Sequence, residues 1–311
     1  MLIPTSSDIT GNDGFFILYM TFANRMTLRR QATLANLHTL RLGGPPYQEN
    51  GVPSELLQLT PALRTLILTN LREASVSMTT LPLKILVLKS TSIMVKLPRT
   101  LTHFTWEPAQ SAMSRHSFAR VIQSQLPCLT HLSLFDMQRI SAPWLSAILD
   151  QGMSEEGEKD AEGTPLSVPT KDAAPLQFLS LKGTLTSSTT SLFSKPSSAT
   201  GGYPSLFTSS PRILTKSLKH LAIPEFPCDD DEIEHLISHD LRLEYIDLSS
   251  TNITGAAIKM LADGMPTLKH IRADHASRIN GRDAIVYAER KGIRVSCSMS
   301  EPKGGKKVRY L

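Results

Sequence analysis

The residues best equipped for chemistry sit together at Asp229, Asp230, Asp231, Glu232, Glu234, His235 and His239. His235 and His239 are four apart and would share one helix face, as zinc ligands on a helix do, with Glu234 beside them as a general base. Metal-dependent hydrolysis would be the reaction. The zinc-protease pattern, however, places its glutamate directly after the first histidine, and here that position is Leu236. An acidic first turn that follows Pro227 and complements the helix dipole accounts for the same residues without a metal. A hydrolase using Glu234, His235 and His239 is therefore kept only as the minor alternative. No Gly-x-Ser-x-Gly elbow, Walker loop or dinucleotide fingerprint occurs. No catalytic residue, metal ligand or cofactor is assigned.

A second group of rings is scattered along the chain: His103, His131, Phe178, His220, Tyr245 and His270. What unites them is their setting, since each directly precedes the middle apolar residue of a recurring pattern, Leu-x-x-Leu-x-Leu. Copies of this pattern, some with another apolar residue in place of a leucine, start at Leu37, Leu63, Leu83, Leu101, Leu129, Leu176, Leu218, Leu243 and Leu268. The last three are 25 residues apart, inside the range of leucine-rich repeats. The chain has 43 leucines among 311 residues and only 6% aromatics, so the core must be built from leucine. The last two apolar residues of each copy alternate with outward ones, as in a strand, and the first packs from the preceding turn.

Each copy thus supplies one short parallel strand, which must return by a crossover. Gly255 to Asp263 and Asp231 to Ser238 read as crossover helices, the former with Thr254 as its cap. The predicted fold class is α/β, a leucine-rich-repeat solenoid with a parallel concave sheet and helices on the convex side. Residues 1–36 would be an irregular cap, 37–295 the solenoid closed by a strand at Ile293 to Val295, and 296–311 a basic tail. The spacings of 47 residues from Leu129 and 42 from Leu176 imply insertions near 151–174 and 184–211. The first is acidic, and the second has 15 Ser or Thr in 28 positions. Neither can offset its chain entropy by burial, so both are expected as disordered loops, with Thr164 and Ser210 as possible proline-directed phosphate acceptors.

In such a sheet the outward residues form columns about 4.8 Å apart. The first runs Thr39, Thr65, Ile85, His103, His131, Phe178, His220, Tyr245, His270. Beside it runs Arg41, Ile67, Val87, Thr105, Ser133, Ser180, Ala222, Asp247, Arg272. The predicted protein-binding set on this concave face is His103, His131, Phe178, His220, Tyr245, Asp247, His270 and Arg272, with Phe178 and Tyr245 as aromatic anchors. Filler of the strands is the competing explanation.

The net charge of +5 lies wholly in residues 288–311, which hold seven basic and two acidic residues. The rest of the chain has 26 of each sign, which argues against nucleic acid as partner. The apolar run Gly14 to Ala23 is half the length of a membrane span, and Asp8 and Asp13 before it oppose a signal peptide. Cys128, Cys228 and Cys297 form no disulfide or zinc pattern, and a reducing compartment, cytoplasm or nucleus, is expected.

From Leu243 to Met299 the chain resembles the terminal repeats of fungal F-box/leucine-rich-repeat proteins. Asp283, Ala284, Ile285, Ala288, Lys291, Gly292 and Ile293 to Val295 match their final helix, turn and closing strand, and the Lys303 to Arg309 tail is similar to theirs. The resemblance implies the substrate receptor of a cullin-RING (SCF-type) ubiquitin ligase, with a Skp-type adaptor and a cullin as further partners. No F-box is found: Val52 to Leu57 imitates its opening but runs straight into the repeat at Leu63. A stand-alone leucine-rich-repeat interaction protein is the alternative.

Overall fold

The computed structural model describes residues 6–9, 36–43, 57–58, 60–70, 75–91, 94–108, 126–140, 142–149, 173–185, 191–193, 205–280 and 282–298. Eleven strands form one sheet: β1 (Ser6–Ile9), β2 (Thr39–Gly43), β3 (Thr65–Thr69), β5 (Ile85–Thr91), β7 (His103–Pro108), β8 (His131–Ile140), β9 (Phe178–Leu185), β10 (His220–Ala222), β11 (Tyr245–Asp247), β12 (His270–Arg272) and β13 (Arg294–Ser296). Each pairs in parallel with the next, so chain order equals spatial order. This is the α/β leucine-rich-repeat solenoid.

The register follows from the leucines. Leu40, Leu66, Leu86, Phe104, Leu132, Leu179, Leu221, Ile246 and Ile271 lie side by side and are at most 2% exposed. A slip by one residue would turn this whole row to water, at about 1.5–3 kcal/mol per side chain. The backbone repeats the arrangement. The carbonyls of His38, Arg64, Lys84, Thr102, Thr130, Gln177, Lys219 and Glu244 each accept two successive N–H groups from the start of the following strand.

The return paths differ along the chain. Helices α1 (Ala142–Leu149), α2 (Asp230–Ser238), α3 (Gly255–Gly264) and α4 (Asp283–Arg290) follow β8, β10, β11 and β12. After β3 and β5 the described return segments are instead the short strands β4 (Ser75–Ser77) and β6 (Met94–Lys96), which pair with each other. The spacing explains this: Leu63 to Leu83 is 20 residues and Leu83 to Leu101 is 18, against 25 or more where helices α1 to α3 occur. Extended chain covers about 3.3 Å per residue and helix about 1.5 Å, so a short repeat returns extended.

Helices α2 and α3 match the predicted spans to within one residue at one end each, and Thr254 caps α3 by accepting from the Ala256 N–H. Asp230 of α2 in turn accepts from both the Thr254 amide and hydroxyl, joining two repeats. At their ends the helices meet so closely that a Cβ on Gly264 would overlap Ile237, which restricts that position to glycine.

Three boundaries differ from the sequence reading. The sheet begins within residues 1–36, with β1 paired to β2. The closing strand is Arg294–Ser296, one residue later than expected. Within 184–211, Leu192, Phe193, Leu206 and Phe207 are buried, and the Phe193 and Phe207 rings stack at 5.0 Å. Four large apolar residues in a Ser/Thr-rich stretch were enough to seat part of it against the core. Ser210, expected as a phosphate acceptor in a loop, is instead 2% exposed. Residues 186–190 and 194–204, almost all of 151–174, including Thr164, and the tail beyond residue 298 lie outside the described residues.

Candidate functional site

Alternation along the strands sends one set of side chains to the leucine core and the other to the open face. The register places Ile85, His103, His131, Phe178, His220, Tyr245, His270 and Arg294 in a single row across eight strands. All but the exposed Arg294 are half-buried. The six rings from His103 to His270 form a continuous stack. Centroid separations are 3.9 Å for His103–His131, 5.7 Å for His131–Phe178, 4.0 Å for Phe178–His220 and 4.2 Å for His220–Tyr245, with planes within 17° of parallel. Tyr245–His270 closes the series edge-on at 5.1 Å. Strand spacing near 4.8 Å suits ring stacking, and each contact is worth about 0.5–1.5 kcal/mol.

Two of the histidines are held by the residue before them. The Thr102 hydroxyl donates to the Lys84 carbonyl at 3.0 Å and lies 2.9 Å from His103 Nδ1. The Thr130 hydroxyl donates to the Thr102 carbonyl at 3.2 Å and lies 2.9 Å from His131 Nδ1. At the other end, His270 Nε2 is 2.9 Å from the Ser296 hydroxyl. Burial lowers the His103 pKa; burial and then the His103 charge lower that of His131. His220 is pushed down to about 4, chiefly by burial, with Asp247 opposing the shift and His131 adding to it. The three imidazoles are neutral at pH 7.

The second row, Val87, Thr105, Ser133, Ser180, Ala222, Asp247, Arg272, lies where the sequence reading put it, but from Ser133 to Asp247 it forms a shaded floor. Ser133 and Ser180 are each 8% exposed and Asp247 is 6% exposed. Asp247 faces inward in function as well, because its Oδ1 accepts from the Ser249 amide and hydroxyl at 2.9 and 2.6 Å. Arg272, 3.7 Å from Asp247, pairs more closely with Asp274 at 2.8 Å. Of the eight predicted contact residues, six build the ring row, while Asp247 and Arg272 belong to a neighbouring ion cluster.

Sequence reasoning did not reach the third outward position. There Lys89, Glu107, Phe135 and Lys182 border a groove of about 530 Å³ floored by Val87, Thr105 and Ser133. The signal was available two residues beyond the second column in each strand. It also missed Arg212, which is buried and donates to the carbonyls of Leu126, Pro127, Leu129, Leu149 and Ala174.

The acidic-histidine group does other work. Asp229 caps α2, accepting from the Glu232 amide. Glu232 accepts from the Ser191 hydroxyl and the Leu192 and Phe193 amides, and His239 Nε2 is 3.2 Å from the Phe193 carbonyl. Glu234 and His235 are exposed. No three His, Cys, Asp or Glu among the described residues are grouped to hold a metal ion. No helix among the described residues is long and apolar enough to cross a membrane.

No family model and no curated protein matches the chain. Among solved structures it is similar to TLR13 in its complex with ssRNA13, at 16% identity and a TM-score of 0.38, over 86% of this chain and 33% of that one. It is also similar to a protein from Bacteroides fragilis, at 13% identity and a TM-score of 0.35, over 90% of this chain and 71% of that one. The chain thus spans about a third of the TLR13 chain's length. Likeness this distant carries nothing about a shared ligand.

Proposed function

We propose that the chain is a non-catalytic protein-recognition scaffold that takes its partner on the open face of the sheet, as the target-binding region of an SCF-type ubiquitin ligase receptor. The observation that carries the recognition reading is the ring row. Six aromatic and imidazole side chains are held half-exposed on adjacent strands, where filler would more cheaply be small and polar. The ligase reading is supported by the residues of the last repeats, Asp283 to Val295, that resemble fungal F-box proteins.

Affinity capture of the protein expressed from its native locus, followed by mass spectrometry, tests the ligase reading. Recovery of a Skp-type adaptor and a cullin is the expected result. Their absence, with a different protein enriched, would make the chain a stand-alone interaction scaffold.

A further inference from the structure

The ring row has a chemical polarity. Because the rings stack face to face, their π-faces are used on one another and the row offers edges to a partner. A base or sugar that needs an open ring face finds none between His103 and Tyr245. What the edges carry is set by the threonines. A hydroxyl has one proton, and those of Thr102 and Thr130 are given to backbone carbonyls, which cannot donate in return. Each hydroxyl must therefore accept from the imidazole beside it, which fixes the proton on Nδ1 of His103 and His131. Nε2 keeps its lone pair, and neither Nε2 has a hydrogen-bond partner among the described residues. Two nearly parallel rings 3.9 Å apart aim these lone pairs side by side instead of at one point, so they suit two donors better than one metal ion.

Beside this line of acceptors run the hydroxyls of Thr105, Ser133 and Ser180, which can donate. From Ile85 to Ala222 the two rows carry no charge at neutral pH. Charged groups stand only around them. Lys84, Lys219, Glu244 and Lys269 lie at the strand starts, Lys89, Glu107 and Lys182 border the second row from the third outward position, and Asp247, Arg272 and Arg294 lie on β11 to β13. An acceptor line next to a donor line, both uncharged, complements a primary amide, whose NH₂ donates and whose carbonyl accepts.

We infer that the open face binds an extended, uncharged polypeptide segment bearing Asn or Gln side chains, laid across the strands, and holds it only while His103 and His131 are neutral. The inference rests on the open face being the recognition surface. Acid converts the Nε2 of His103 and His131 from acceptor to donor and places like charges on these rings 3.9 Å apart, so the segment is released. The burial that depresses the pKa of these imidazoles keeps the neutral form in place at pH 7.

The test uses the full chain and a random-peptide phage library as the probe, with nitrogen-15 NMR of the histidine side chains. The expected spectrum shows Nδ1-protonated tautomers for His103 and His131 at pH 7. The expected selected peptides are rich in Asn and Gln, neutral, and eluted as the pH is lowered toward 4. His131→Phe, which keeps a ring in the stack and removes the lone pair, should weaken them roughly tenfold. Nε2-protonated tautomers, charged consensus peptides, no selected peptides, or binding unchanged at low pH would each overturn the inference. Peptides whose binding is indifferent to His131→Phe, Phe178→Ala and Tyr245→Ala alike would overturn the recognition reading itself.

Discussion

At the scale of single residues, the histidine row ties stability to pH. His103, His131 and His220 have pKa values below the ordinary 6.5, so between about 4 and 6.5 the unfolded chain binds more protons than the folded one. Their contribution is fully present above pH 6.5 and is lost as pH falls toward 4. Urea unfolding should show a lower midpoint at pH 4.5 than at pH 7, and His220→Phe should reduce that difference while keeping a ring between Phe178 and Tyr245. The row's membership was legible from sequence because leucine register fixes which residues point outward. The threonine clasp was not, since it depends on rotamers and on which carbonyl a hydroxyl finds. Arg212 was equally hidden, because a lone arginine in a loop ordinarily reads as a solvated charge.

At the scale of elements, five of the repeats carry a residue in the left-handed region at the same place after the row position. Asn70, Ser90, Glu225, Ser250 and His275, each five positions after the row residue of its strand, have φ between 47° and 68°. Asn70, Glu225 and Ser250 each donate from this conformation to a carbonyl of the following repeat. Ser250→Gly should relieve about 1 kcal/mol of strain and raise the melting temperature, whereas Ser250→Val should lower it. Arg212 plays the joining role across the interrupted repeats, where its guanidinium gathers the carbonyls of residues 126, 127, 129, 149 and 174. Arg212→Met should cost about 3 kcal/mol or more in urea unfolding, with Arg212→Lys recovering only part, since one ammonium cannot reach all five carbonyls. Helices α2 and α3 could be read from their periodicity, α3 also from its Thr254 cap, whereas α4 was reached only through the resemblance. The extended returns of the short repeats were implied by the 20- and 18-residue spacings, yet the eye is drawn to the regular 25-residue copies.

At the scale of the whole molecule, the parallel sheet was legible because a period repeated nine times leaves little choice of topology. A leucine core on one face forces a continuous outward surface on the other, and strand spacing near 4.8 Å turns isolated rings into a stack about 24 Å long. The target was not legible, because a binding face needs only complementarity to something absent from its own sequence. The account's central claim is that this face is where the partner binds. Its most direct test is quantitative capture from the native source with the wild-type chain and with the Phe178→Ala, Tyr245→Ala double variant, both checked by thermal melting. The account predicts that specific partners fall at least tenfold while the double variant, its melting temperature lowered by the lost ring contacts, is still fully folded at the temperature of capture. An identical set of partners at identical yield, from a variant equally well folded, would contradict it.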